Sequence, residues 1–102
     1  MAWFVKTETF TAQTAALSIE QRRPFLEAHR HWLAQHIGLG RRIRSGFLVD
    51  DQRRPGGGGL LIFQASSYAE ALAWVRQDPM IVEGLVAWQL QEWIPVSGDD
   101  WP

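Results

Sequence analysis

The stretch Pro24-Phe25-Leu26-Glu27-Ala28-His29-Arg30-His31-Trp32-Leu33-Ala34-Gln35-His36-Ile37, closed by Gly38, constrains the fold of this chain more than any other. Stepped at about 100° per residue, Phe25, Leu26, His29, Trp32, Leu33, His36 and Ile37 fall on one half of a helical wheel. Arg23, Glu27, Arg30, His31 and Ala34 fall on the other half. A helix with one apolar side must bury it against a second layer. The rest of the chain supplies mainly strands for that layer. Two of the three histidines stand on the side that must face it.

Residues 2–8 alternate in the manner of a strand. Thr9 to Leu17 reads as a polar connection. Ser18-Ile19-Glu20-Gln21 matches a capping box, in which the Ser oxygen and the Gln side chain satisfy free N–H groups. A helix begun at Ser18 meets Pro24, which leaves the Glu20 carbonyl unbonded and crowds the preceding turn. The sequence therefore predicts a short turn over 18–22 and a main helix from Pro24, where proline suits the first position. Gly38 and Gly40 end it.

Arg41 to Val49 reads as a second strand, with Ile43, Ser45, Phe47 and Val49 on one face. Asp50 to Pro55 and the four glycines 56–59 read as a flexible hairpin loop that cannot be helix or central strand. The glycine run lacks the Lys-Ser/Thr of a phosphate loop and the spacing of a dinucleotide fingerprint. Leu60 to Ala65 is a short apolar strand suited to the middle of a sheet. Ser67-Tyr68-Ala69-Glu70 is a second capping box. It opens a helix to about Gln77, with Tyr68, Leu72 and Val75 inward. Asp78-Pro79 interrupts it, Met80 to Glu83 adds a turn, and Gly84 stops that. In the last strand, Leu85 to Ile94, Val86, Trp88 and Leu90 share a face. One domain over 1–96 and a loose tail over 97–102 are expected, with Trp101 free to tuck against a neighbour.

The order β-α-β-β-α-β predicts an α+β, ferredoxin-like fold: a four-stranded antiparallel sheet with two helices on one face. Trp3, Val5, Leu61 and Phe63 cannot all point to one side. Two helices cover one face only, so an apolar second face predicts association, and a homodimer packed through the open sheet face would close it.

Ten basic and eleven acidic residues give a net charge of -1, which argues against nucleic acid or an anionic membrane as partner. Six Trp in 102 residues place some rings along a cleft or a subunit contact. Cysteine is absent, which removes thiolate chemistry and fits a reducing compartment. Met1 to Glu8 has no basic n-region and too short an apolar run for a signal peptide, and no apolar run approaches a membrane span. A cytoplasmic location is the expectation.

His29 and His36, seven residues apart, stand about 10.5 Å apart along the helix and cannot share a metal ion. No metal-ligand spacing occurs elsewhere, and no cofactor is expected. Two accounts of His29 stand on the pattern alone: a core-edge histidine with one satisfied hydrogen bond, or a general acid/base. His36 near the helix end is explained by the helix dipole. Asp78 before Pro79 is a good cap, and one carboxylate oxygen can cap while the other holds a histidine. Arg22 and Arg23 precede the main helix and can hold an anionic small molecule. Gly46 after Ser45 marks a bulge or a close backbone approach. No Gly-x-Ser-x-Gly elbow surrounds a serine.

These pieces in this order resemble the YciI-like (YCII-related) family of small dimeric α+β proteins. The likeness covers about residues 2–95. It rests on Ala28-His29 followed by an aromatic and Leu, Gly40 opening the second strand, Gly46 six residues later, Asp78-Pro79, and Gly84-Leu85 before the last strand. The resemblance implies a dimeric α+β barrel and an active site built on a His–Asp dyad, which falls on His29 and Asp78. The family often has Gly-Pro where this chain has Gly46-Phe47. One activity known in it is dehydrochlorination of a chlorinated hydroxyhydroquinone, and the fold is similar to that of muconolactone isomerase. On that basis the expected function is a cofactor-free lyase or isomerase on a small cyclic or enolisable metabolite. Ser45 or the Gly46 N–H would meet an oxyanion, and Trp and Phe rings would wall the pocket. Arg23, Trp32 and His36 complete the expected ligand-binding set. The alternative is a non-catalytic dimeric module that binds a small ligand or a partner.

Overall fold

A computed structural model describes residues 1–99. The expected place of Trp101 lies outside them. Four strands, β1 (Ala2–Phe10), β2 (Ile43–Val49), β3 (Pro55–Ala65) and β4 (Val86–Trp93), form one antiparallel sheet in the order β2-β3-β1-β4. The helices are α1 (Ala12–Ala16), α2 (Ile19–Gly38), α3 (Tyr68–Val75) and α4 (Pro79–Val82). The strand–helix order is the ferredoxin-like one, with two short helices added.

Helix α2 is continuous from Ile19. Ser18 Oγ accepts from Gln21 N at 3.1 Å while Gln21 Oε1 accepts from Ser18 N at 2.9 Å. The turn expected at 18–22 is thus the first turn of the helix itself. Pro24 removes one hydrogen bond where Glu20 is exposed, so water can serve the freed carbonyl, and the capping box and buried Trp32 and Leu33 hold the rest. Ile37, expected inward, is 54% exposed. The connection before it is more ordered than its composition implies. β1 extends to Phe10 because Thr9 and Phe10 pair with Ala87 and Val86. Thr11 then caps α1 through Thr14 N.

The glycine run departs most from expectation. Asp50 closes the hairpin by itself: its carboxylate accepts from Gln52 N at 2.8 Å and Arg54 N at 2.9 Å, and Arg53 takes a left-handed φ of 62°. Pro55 already pairs with Val49, and Gly58 and Gly59 pair with Thr9 and Glu8 of β1. The glycines are therefore the first half of an eleven-residue central strand. Close neighbours explain them. A Cβ on Gly57 (φ 79°) would lie 2.9 Å from the Phe10 ring, and one on Gly59 would lie 3.1 Å from Glu8 Cγ.

Phe4, Lys6, Glu8 and Phe10 alternate onto the helix side of β1, opposite Phe63, Leu61 and Gly59 of β3. The core there joins Phe4, Phe63, Leu61, Ala71, Trp74, Val75, Trp32 and Leu33. Fully burying a residue such as Phe63 contributes about 1.5–3 kcal/mol. In α3 the buried residues are Ala71, Trp74 and Val75, whereas Tyr68 is 47% exposed, its ring 6.2 Å from that of Phe4 and its hydroxyl donating to the Leu90 carbonyl. Ser67 caps Glu70 N, but the Glu70 carboxylate pairs with Arg41, so the reciprocal half of that box gives way to an ion pair. Trp3, Val5, Leu60 and Ile62 point to the other face; Ile62 is buried there, apart from the main core. No helix is long and apolar enough to cross a membrane among the described residues.

Candidate functional site

A cleft of about 740 Å³ opens between α2 and the sheet. His29 and Leu33 line it from the helix, Ser45 and Phe47 from β2, Gly57 to Leu61 from β3, and Met80 closes one end. The missing side chains of the glycine run leave the floor bare.

His29 Nδ1 lies 2.8 Å from Asp78 Oδ1. A carboxylate only accepts, so Nδ1 carries the proton and donates it, which leaves the Nε2 lone pair for the cleft. The same Oδ1 caps α4 by accepting from Met80 N at 3.0 Å. Capping and holding the histidine therefore fall to one oxygen rather than being divided between two. The second oxygen, Oδ2, accepts from Lys6 Nζ at 2.9 Å. Lys6 Nζ also stands 2.6 Å from Glu8 Oε1. Lys6 and Asp78 are both fully buried.

Four side chains thus form one line, Glu8–Lys6–Asp78–His29, from the middle of the cleft through the core and back to it. Burying a lone charge is costly, and each buried charge here has an opposite partner in hydrogen-bond contact. Burial pushes the Asp78 carboxyl up. The hydrogen bond from His29 and the Lys6 charge outweigh that, and hold it below its ordinary value of 3.8. Asp78 is accordingly a carboxylate, fixed on three sides.

Of the other residues expected at a site, Ser45 and Gly46 line the cleft on β2. Of the two arginines, Arg22 lines it, whereas Arg23 is exposed and is not in its wall. Trp32 and His36 do not line the cleft: Trp32 lies behind His29, ring centres 6.4 Å apart, and stacks on Trp74 at 4.6 Å, and Trp74 Nε1–H donates to His36 Nδ1 at 3.1 Å. The aromatic walls of the cleft are Phe10 and Phe47, with no Trp among its lining residues. Arg30, on the outer half of the wheel, reaches the cleft edge. Lys6 and Glu8 were hidden by their charge, since both read as solvent-facing strand residues. Their signal was the period-two alternation with Phe4 and Phe10. Among the described residues no three His, Asp or Glu side chains are placed to hold a metal ion.

Fold and site define a small ferredoxin-like protein with a carboxylate-held histidine in an open cleft. The chain belongs to the YCII-related domain family, which it matches over residues 4–94. No curated protein matches it. Among solved structures it is similar to 5-chloro-2-hydroxyhydroquinone dehydrochlorinase from Burkholderia phenoliruptrix, in complex with 2,5-dihydroxybenzoquinone. The TM-score is 0.67 at 22% identity, over 90% of this chain and 93% of that chain. At that identity the likeness shows the fold.

Proposed function

We propose that the cleft is the active site of a cofactor-independent lyase or isomerase acting on a small cyclic or enolisable molecule. The observation that carries this is the 2.8 Å contact from His29 Nδ1 to a buried, ionised Asp78. With Nδ1 held, Nε2 is the base: it takes a proton from carbon next to a carbonyl, and the electron pair moves to the carbonyl oxygen. Ser45, which lines the cleft from β2, is the hydroxyl donor for that oxyanion in this reading. Asp78 stabilises the imidazolium so formed and does not itself take the proton. Returning the proton to another carbon isomerises the substrate; expelling a leaving group such as chloride completes an elimination. The dehydrochlorinase named above supports the second outcome as a class of chemistry.

Lys6 is a positioning residue, keeping Asp78 charged and in place. Arg23, Trp32 and His36 have no part in this step. The reading also includes a homodimer, because Trp3, Val5 and Leu60 lie on the outer sheet face, opposite the core to which α2 and α3 contribute. Sedimentation at two protein concentrations tests that, and a monomer at both removes it. The chemistry is tested by NMR-detected deuterium exchange into a panel of enolisable cyclic ketones and phenols. His29→Ala is expected to slow exchange by about 10²–10⁴-fold, and an unchanged rate would end the proposal.

A further inference from the structure

The cleft is electrically uneven along its length. Lys6, Glu8 and Phe10 share the helix side of β1 and mark three successive positions beside its floor. At the first, Lys6 is occupied by Asp78 and Glu8. At the last stands Arg22, its guanidinium 5.2 Å from the centre of the Phe10 ring. Arg22 is half-buried, lines the cleft and has no carboxylate within ion-pair reach among the described residues.

Two internal rulers set the separation. Lys6 to Phe10 is four residues of strand, about 13 Å. Arg22 to His29 is seven residues of helix, about 10.5 Å, and two full turns return to the same side. Both backbone spacings, about 10.5 and 13 Å between Cα positions, leave room along the cleft for one substituted ring. Between Arg22 and His29 the floor is glycine backbone, with Phe10 and Glu8 taking the space that a Cβ on Gly57 or Gly59 would need. Glu8 stands midway and repels negative charge at that point.

We propose that the cleft takes a planar monocyclic acid whose anionic group sits on Arg22, whose ring lies on the Gly57–Gly59 floor, and whose other end reaches His29. The part concerning His29 rests on the acid/base reading; the anion contact at Arg22 is independent of it. Arg22 is a specificity-determining residue. Arg30, exposed at the cleft edge, adds solvent-screened attraction.

The test compares 4-hydroxyphenylacetate with 4-hydroxyphenylacetamide by NMR titration of the full chain and of Arg22→Gln, Arg30→Gln and His29→Gln. The acid is expected to bind the parent at least about tenfold tighter than the amide, the size of one charge-assisted contact. Arg22→Gln should bring the pair within about twofold, while Arg30→Gln and His29→Gln keep most of the difference. Equal binding of acid and amide, binding of neither, or a preference that survives in Arg22→Gln would overturn the proposal. If Arg22→Gln does not fold, added salt decides on the parent: loss of the acid's advantage supports the contact, and a salt-independent advantage rejects it. A chain that prefers the acid through Arg22 but exchanges no proton fails only the acid/base reading. One that exchanges protons with no preference fails only the Arg22 assignment.

Discussion

Helix α2 carries two histidines on one face, two turns apart, and the structure treats them oppositely. At His29 the ring meets an acceptor-only partner, so Nδ1 is spent as a donor and the lone pair on Nε2 stays available. At His36 the ring meets the donor-only indole of Trp74, so the Nδ1 lone pair is consumed. The surroundings differ in the same sense. His29 ends a line of buried charges beside an open cleft. His36 is wrapped by Trp32 and Trp74 at ring distances of 5.2 and 5.5 Å, next to an indole N–H of Trp32 that has no hydrogen-bond partner among the described residues. Packing holds one end of the helix and polar wiring holds the other. What separates the two histidines is the hydrogen-bonding character of the neighbour rather than burial, since both are half-buried.

The widest separation between the two is kinetic: against the loss expected for His29→Ala, His36→Gln should leave proton exchange essentially unchanged in the same assay. Next in size is Asp78→Asn, which leaves Lys6 buried beside a neutral amide. It should cost about 3–5 kcal/mol in urea unfolding, with activity falling in step with the lost imidazole anchor. The same carboxylate sets an acid limit. Its folded value lies below 3.8, so its stabilising contribution is full above that value and is lost as the pH falls below it. Urea midpoints measured on descending pH should therefore drop for the parent and drop less for Asp78→Asn, so that the two curves converge. Gly57→Ala must adopt a left-handed φ and meet the Phe10 ring, and about 2 kcal/mol of destabilisation is expected from thermal unfolding. The smallest effect belongs to the aromatic end: Trp74→Phe keeps most of the packing and removes the N–H to His36, at about 1 kcal/mol, with no change in the exchange assay.

Much of this was legible in the chain. The order of the six main elements, the capping box at Ser18, the stop at Gly84 and the inward face of β4 follow from periodicity and turn chemistry, which act over a few residues. The failures have a shared cause, in that a long-range contact overrode a local rule. Glycine is a poor strand former in isolation, yet Gly57 and Gly59 belong in the sheet because Phe10 and Glu8 need the room. Proline at position 24 ought to break a helix, yet a capped first turn and a buried face downstream carry the helix through it. Arg22 and Arg23 are indistinguishable neighbours until the helix phase starting at Ile19 turns one toward the cleft and the other toward water. The pairing of His29 with Asp78 came from family resemblance. No local pattern announces a contact across 49 positions.

The bare half of β3 has a mechanical meaning. From Leu60 to Ala65 the strand is fastened on both sides by buried side chains as well as by its backbone ladder. From Pro55 to Gly59 the ladder acts almost alone, since glycine offers nothing for neighbouring strands to grip. One strand is thus welded at one end and merely laced at the other, and the laced end is the floor of the cleft. An occupant of that floor would supply contacts the chain itself omits, so binding there is expected to stiffen that half of the sheet.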